Sequence, residues 1–156
     1  MTVRSQVIRL EFTSAFEMLD FVQVVSDHVS RAAGLDDDAM HWVSVALRES
    51  VINAIKHGNQ HDASKHVFVE FETADDAAVP ELMIRVRDEG PGFEPDTVAN
   101  PLAPENLLKS SGRGIFLIRS FMDEVAVRPA PEGGMEVLMV KRASESSPTA
   151  AVSGSE

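Results

Sequence analysis

The sequence contains no cysteine, no apolar run that approaches the length of a membrane helix, and comparatively few basic residues. The absence of cysteine excludes a disulfide framework and a thiolate metal site. A membrane helix needs roughly 18 or more consecutive apolar residues. Residues 1–6 also lack the apolar segment of a signal peptide. We therefore expect a cytoplasmic protein with no membrane partner.

Acidic residues outnumber basic ones by 25 to 14, which gives a net charge of -11. Nucleic acids and anionic membranes are bound through clustered Lys and Arg, so we expect no direct contact with nucleic acid. The charge suits a basic protein partner, and it equally serves solubility. The length of 156 residues predicts one domain over residues 1–142, followed by a disordered Ser- and Ala-rich tail over residues 143–156.

The hydrophobic pattern alternates between strand and helix periods along the chain. Period-two stretches predict strands over residues 3–12, 65–72, 81–87, 124–128 and 135–141. Helical spacing predicts three helices, which end near residues 34, 57 and 122. Thr13 or Ser14 caps the first helix, with Glu17 completing a capping box. Because the strands occur in adjacent pairs, we expect an α+β sandwich, with a mixed, mostly antiparallel sheet covered on one face by helices.

The end of the second predicted helix carries a carboxylate, an amide and a cation. Glu49 and Asn53 are four residues apart and share a helix face, which Lys56 and His57 extend. An amide oxygen such as that of Asn53 can ligate Mg²⁺. Glu49 can orient or deprotonate an attacking hydroxyl, and Lys56 can neutralise phosphate charge. Taken alone, the segment is more simply a solvated helix end that Gly58 terminates.

Asp88 closes the third predicted strand, just before Gly90 and Gly92. A carboxylate there can accept a hydrogen bond from an exocyclic amine such as that of adenine. The glycines let the backbone pass close to a ligand. An ordinary turn explains the same residues equally well, since Asp and Gly are common in turns.

Gly112, Arg113 and Gly114 come directly before the apolar residues of the third predicted helix, which starts at Ile115. Backbone N–H groups at a helix N-terminus bind phosphate, and Arg113 either adds a charge-assisted contact or is a surface arginine. No P-loop pattern occurs, and neither glycine pair completes the Gly-x-Gly-x-x-Gly of a Rossmann site. A zinc site built from the histidines of residues 57–66 is not expected.

Taken in order, these segments resemble the asparagine box and the two glycine boxes of the GHKL ATPase superfamily. The match is best to its single-domain branch, the bacterial anti-sigma-factor serine kinases. The likeness lies in residues 46–58, 88–93 and 112–125 and extends over residues 3–142. The resemblance implies a Bergerat-type ATP-binding fold with ATP and Mg²⁺ as cofactors.

The resemblance also implies individual roles. Glu49 would be the base or orienter of the attacking hydroxyl, Asn53 the Mg²⁺ ligand and Asp88 the partner of the adenine amine. Gly90 and Gly92 would open a lid over the nucleotide at residues 93–111, and Gly112 and Gly114 would approach the phosphates. Family members usually form homodimers, inhibit a sigma factor, and phosphorylate a serine or threonine of an anti-anti-sigma protein of the STAS type.

Two other functions fit parts of the sequence. The first is a nucleotide-dependent binding module without kinase activity; Glu49 favours the kinase, because ATP sensing alone needs no base. The second is a histidine-kinase fragment with His28 as phosphoacceptor. The acidic Asp27 precedes His28 rather than following it, and no dimerising helical hairpin comes before the ATPase segments.

Overall fold

Five strands form one antiparallel sheet in the computed structural model, which describes residues 6–74, 79–91 and 110–143. The elements are β1 (Val7–Thr13), α1 (Met18–Ala32), α2 (Asp37–Asn53), a π-helical turn (Ala54–Gly58), β2 (His66–Ala74), β3 (Glu81–Arg87), α3 (Ser110–Phe121), β4 (Glu124–Pro129) and β5 (Met135–Arg142). The strand order is β1-β2-β3-β5-β4, and each described pair of neighbours is antiparallel. Within these ranges no helix is long and apolar enough to cross a membrane.

The helices cover one face of the sheet because that face is apolar. Successive residues of β2 and β3 alternate between buried and half-buried, as the predicted period of two requires. The buried positions on these strands include Val67, Val69, Phe71, Leu82, Ile84 and Val86. They pack with the apolar sides of α1 and α2 in one core. The predicted α+β architecture is confirmed, and the described sheet is antiparallel throughout rather than mixed.

The other face of the sheet carries a row of alternating charges. Arg9 on β1 pairs with Glu70 on β2 at 2.6 Å, and Glu70 pairs with Arg85 on β3 at 2.9 Å. Arg85 then meets Glu136 on β5 at 3.4 Å, and Glu136 pairs with Arg128 on β4 at 2.7 Å. Opposite charges on adjacent strands favour this strand register over its alternatives. The row therefore joins all five strands.

The start of the first helix differs from the prediction. Helix α1 begins at Met18, and Glu17 occupies its cap position without a capping side-chain hydrogen bond, so the predicted capping box is wrong. The hydroxyl of Ser14 instead donates to the carbonyl oxygen of Lys65 at 3.0 Å. It also accepts a bond from the side chain of Asn59 at 2.6 Å. Ser14 thus holds the end of β1 to the segment that follows α2.

The last strand of the sheet, β5, ends at Arg142. Ala143, the first residue of the predicted tail, is buried, and its N–H donates to the carbonyl oxygen of Pro80 at 2.8 Å. The remainder of the predicted tail lies outside the described residues, as do residues 92–109, which hold most of the predicted lid.

Candidate functional site

A cavity of about 310 Å³ lies between the end of α2, the start of α3 and the apolar face of the sheet. Its lining combines a few polar groups with apolar side chains from three strands, and it consists of Ser50, Asn53, Ala54, His57, Gly58, Gln60, Val86, Asp88, Pro91, Ile115, Val127, Met135 and Val137. Small-molecule sites usually have this composition, because apolar walls supply contact area and a few polar groups fix orientation.

Asp88 is the buried charge of this cavity, with 4% of its surface exposed. Its Oδ1 accepts hydrogen bonds from the N–H of Gly90 at 2.9 Å and of Met135 at 3.1 Å. Its own N–H donates to the carbonyl oxygen of Met135 at 3.0 Å. Among the described residues no hydrogen bond reaches Oδ2, so this oxygen is available to a ligand.

Burial raises the pKa of the Asp88 carboxyl above its ordinary value. The hydrogen bonds from Gly90 and Met135, and then the charges of Arg87 and Lys65, act in the opposite direction but do not cancel the effect of burial. The folded protein thus holds a carboxylate in surroundings that disfavour its charge. A donor brought by a ligand would relieve that cost.

Three glycines give the Asp88 segment its space. A Cβ placed at Gly58 would overlap the Asp88 carboxylate, and one placed at Gly90 would overlap the carbonyl of Gly58. At Gly134, whose φ is +84°, a Cβ would overlap the carbonyl oxygen of Asp88. The end of α2, the turn after β3 and the turn before β5 are therefore in direct backbone contact around one carboxylate.

The helical segment ends at Gly58, as predicted, but its last turn has π geometry. The N–H of Asn59 donates to the carbonyl oxygen of Ala54 at 2.7 Å, five residues back. The left-handed conformation that follows is adopted by Gln60 and His61, at φ values of 54° and 60°, rather than by Gly58. Such π turns are rare and are frequently found at functional sites.

Two neighbouring residues of the π turn differ in their relation to the cavity. Both are exposed, but His57 lines the cavity and Lys56 does not. Burial, followed by the charges of Lys56 and His61, lowers the pKa of His57, so its neutral form is favoured. The sequence placed both residues on one face with Asn53 but did not single out His57 as a ligand-binding residue.

Glu49 and Asn53 meet the third helix at Gly114. A Cβ at Gly114 would lie 2.9 Å from the Asn53 amide nitrogen and 3.2 Å from Glu49 Oε2. The absence of a side chain therefore lets α3 approach the carboxylate and the amide together. Glu49 is half-buried at this contact.

Helix α3 begins at Ser110, five residues earlier than the predicted start at Ile115. Gly112, Arg113 and Gly114 accordingly lie in its first turns instead of in a loop before it. The low helix propensity of glycine motivated the later start. The contact of Gly114 with Asn53 outweighs that propensity, since close helix packing requires a small residue there.

The structure brings together some of the predicted site residues. Asn53 and Asp88 line the same cavity, and Glu49 lies beside Asn53. Gly92 lies outside the described residues. No group of three or more His, Asp or Glu in the described ranges is placed to hold a metal ion. A single amide can still bind Mg²⁺, because this ion commonly takes most of its ligands from water and substrate phosphates.

Sequence reasoning did not identify several lining residues. Ser50 lies one turn before Asn53 on the cavity side of α2, and its hydroxyl donates to the carbonyl of Ala46 at 2.9 Å. Met135 follows a pair of glycines and supplies both a side chain to the cavity and an N–H to Asp88. The signal for Met135 was that glycine pair, whose positive φ values mark a tight turn at 133–134.

Known proteins share this arrangement along nearly the whole chain. Residues 13–141 match the family model of the histidine kinase-like ATPase domain. The chain is 34% identical over 141 residues to the anti-sigma F factor of Oceanobacillus iheyensis, an alignment that covers 88% of this chain and 92% of that protein. It is 28% identical over 148 residues to the serine-protein kinase RsbW of Staphylococcus aureus, covering 90% and 89%. All three predicted motifs lie within these matches, and the chain belongs to the histidine kinase-like ATPase domain family.

Proposed function

We propose that the protein is an anti-sigma factor and an ATP-dependent protein-serine/threonine kinase, which phosphorylates an anti-anti-sigma partner. One observation carries the proposal: Asp88, a buried carboxylate with a free oxygen, lines an apolar cavity together with Asn53, and Glu49 lies beside Asn53 at Gly114. The names of the relatives, an anti-sigma factor and a serine-protein kinase, support the same function.

Asp88 would recognise the adenine of ATP. Its Oδ2 would accept a hydrogen bond from the exocyclic amine, while the two backbone donors on Oδ1 hold the carboxylate in place. Val86, Met135 and Val137 line the same cavity and would contact the faces of the base. A buried carboxylate that gains a donor recovers part of its desolvation cost, which makes the contact selective for a base with an amine.

The phosphates would lie toward the start of α3. The first N–H groups of α3, up to that of Gly112, have no partner within the helix and would bind phosphate oxygens, aided by the helix dipole, while Gly114 would let the helix approach the nucleotide. Arg113 and Lys56 would add positive charge, and Gly90 and Gly92 would let the chain pass close to the nucleotide. The amide oxygen of Asn53 would hold Mg²⁺, which neutralises charge on the phosphates when bound.

Glu49 would serve the transfer step. Its carboxylate lies beside Asn53 and the backbone of Gly114, so one rigid helix carries the groups for metal and acceptor. The hydroxyl oxygen of the partner's serine or threonine attacks the γ-phosphorus, the bond to the β–γ bridging oxygen breaks, and the hydroxyl proton passes to Glu49. Because proton transfer is late in such reactions, Glu49 would act chiefly by orienting the hydroxyl.

The protein would act as a homodimer that binds a STAS-type partner and a sigma factor. Support for the dimer comes from the sheet face opposite the helices, where apolar residues adjoin the row of alternating charges. Val7 and Ala126 are exposed there, and Met83 and Leu138 are half-buried. An uncovered apolar area bordered by charges of both signs is suited to pairing with a second copy.

The proposed activity is tested by incubating the protein with Mg²⁺, γ-labelled ATP and small STAS-type acceptor proteins from its own genome. The expected product is labelled acceptor whose phosphate survives acid, as phosphoserine and phosphothreonine do. Label that is lost in acid would indicate histidine phosphorylation and contradict the proposal. ATP binding with no transfer to any acceptor would favour a nucleotide-dependent binding module.

A further inference from the structure

Asn59, which follows the π turn, is fully buried at 0% exposure, and its side chain makes three hydrogen bonds. Its Nδ2 donates to the Ser14 hydroxyl at 2.6 Å and to the His66 carbonyl at 2.9 Å. Its Oδ1 accepts from the N–H of Glu89 at 2.7 Å. One amide therefore joins the ends of β1 and α2, the start of β2 and the turn after β3.

The bond to Glu89 is part of a closed ring. Glu89 accepts a hydrogen bond on Oε1 from the N–H of His66 at 2.7 Å, and His66 in turn accepts from Asn59. Glu89 is thus held at its backbone N–H by Asn59 and at its side chain by His66. Each member of the ring fixes the other two, which is how polar networks specify a single arrangement.

We infer that Asn59 is a positioning residue that sets the preference of the nucleotide site for a base with an exocyclic amine. The inference rests on the proposed function, in which Asp88 accepts a hydrogen bond from that amine. Glu89 lies between Asp88 and Gly90, whose N–H is one of the two donors to Asp88 Oδ1. Moving Glu89 therefore moves both the Asp88 backbone and a group that orients its carboxylate.

The chemical basis is the directionality of the hydrogen bond. An interaction between an amine and a carboxylate weakens steeply with distance and angle, so a small shift of Asp88 removes it. Packing of the base against Val86 and Val137 is far less directional. Loss of Asn59 should accordingly reduce discrimination between bases more than it reduces nucleotide binding in general.

The test compares ATP with ITP, which carries a carbonyl oxygen in place of the exocyclic amine. Dissociation constants for both are measured by calorimetry with Mg²⁺, on the full chain. The wild-type protein should prefer ATP. The preference is the dissociation constant for ITP divided by that for ATP. In Asn59→Ala this ratio should fall by about tenfold, the loss expected when one buried hydrogen bond is misplaced.

Two variants separate positioning from stability. Ser14→Ala removes another partner of Asn59 and leaves the bond to Glu89, so it should lower thermal stability but keep the ATP-to-ITP ratio. Asn59→Asp keeps an acceptor for the Glu89 N–H but loses both donor bonds, so it should lower stability and still keep more of the ratio than Asn59→Ala does. If Asn59→Ala does not fold, Asn59→Ser takes its place, because the serine hydroxyl is too short to reach Glu89.

The outcomes are distinct. A wild-type preference for ATP that persists unchanged in Asn59→Ala or Asn59→Ser would overturn the positioning role and leave the proposed function intact. If Ser14→Ala lowers the ratio of the ITP and ATP dissociation constants as much as Asn59→Ala does, the positioning role is also overturned. A general loss of stability around Asn59 would then explain the effect. A wild-type protein that binds neither nucleotide would overturn the proposed function and this inference with it.

Discussion

At the scale of single residues, Asp88 is a candidate binding group whose burial lowers the stability of the folded protein. Its carboxylate is buried and its pKa is raised, so the charge that would recognise a base is unfavourable in the unliganded protein. The two backbone donors on Oδ1 limit this cost. Ligand recognition and folding therefore make opposite demands on one side chain.

Replacing Asp88 with Asn should weaken ATP binding and stabilise the unliganded protein. The amide oxygen can still accept from Gly90 and Met135, but its nitrogen faces the base amine as a second donor. The loss should be on the order of 1–3 kcal/mol, the cost of leaving a buried donor unsatisfied. Calorimetry gives the affinity and thermal unfolding gives the stability. Unchanged ATP affinity would remove base recognition from Asp88.

The raised pKa of Asp88 also predicts a pH dependence. Between the ordinary pKa of an aspartate and the raised pKa in the folded state, the folded protein binds more protons than the unfolded chain. The contribution of Asp88 to stability should therefore fall as pH rises through that window. Thermal unfolding of wild type and Asp88→Asn, compared from about pH 4 to pH 7, measures it. A wild-type curve that rises relative to the variant would contradict the sign.

At the scale of elements, the site is made by close approach of backbones. Gly58 in the π turn contacts Asp88 after β3, and Gly114 in α3 contacts Asn53 in α2. These contacts join elements that are distant in sequence. A side chain at either glycine would separate them.

Gly58→Ala should lower stability and ATP affinity together. Its Cβ would overlap the Asp88 carboxylate, which the surrounding hydrogen bonds prevent from moving freely. Overpacking of this kind costs about 1–3 kcal/mol. The matched control is Gly34→Ala, whose φ of +85° makes it strained but whose Cβ meets nothing within 4 Å. It should lose stability and keep ATP affinity. Equal ATP affinity in the two variants would show that the Gly58 contact does not shape the site.

The strands were predictable because, in a sheet covered on one face, apolar buried side chains alternate with more polar exposed ones along each strand. Predicted and observed bounds agree for the third strand, residues 81–87, and differ by one residue at the C-terminal ends of the fourth and fifth. The start of α3 was not predictable, since Gly112 and Gly114 disfavour helix locally and the compensating contact with Asn53 is tertiary. The π turn also has no local signature, so the presence of His57 and the absence of Lys56 from the cavity lining could not be predicted.

In the candidate site too, residues with a local sequence pattern were predictable, and residues that depend on tertiary contacts were not. The sequence singled out Glu49, Asn53 and Asp88 as candidates, because charged and amide groups next to glycines form recognisable patterns. It did not reveal Asn59, whose importance depends on being buried among three distant segments. Partners at long sequence separation leave no local pattern.

At the scale of the whole molecule, the two faces of the sheet have different roles. One is covered by helices and borders the cavity, and the other carries the charge row from Arg9 to Arg128 with apolar residues beside it. Arginine and glutamate side chains pair along this second face, within a chain of net charge -11. Its uncovered apolar residues make it the face proposed above for pairing with a second copy.

Leu138→Asp should convert the proposed dimer to a monomer, because it places a charge in the apolar part of that face. Sedimentation velocity of wild type and variant gives the masses directly. The control is Val24→Asp on α1, where the valine is 67% exposed and lies on the helical side of the molecule. It should not alter the mass. A wild-type monomer, or a dimer that survives Leu138→Asp, would contradict an interface on this face.

The kinase itself is tested most directly by Glu49→Gln and Asn53→Ala, assayed side by side for Mg-ATP binding and for transfer to a STAS-type acceptor. Glu49→Gln should bind Mg-ATP like wild type and lose roughly 10²–10⁴-fold in transfer rate, the usual range for a general base. Asn53→Ala should lose Mg²⁺-dependent binding as well as transfer. Transfer by Glu49→Gln at the wild-type rate would contradict the account.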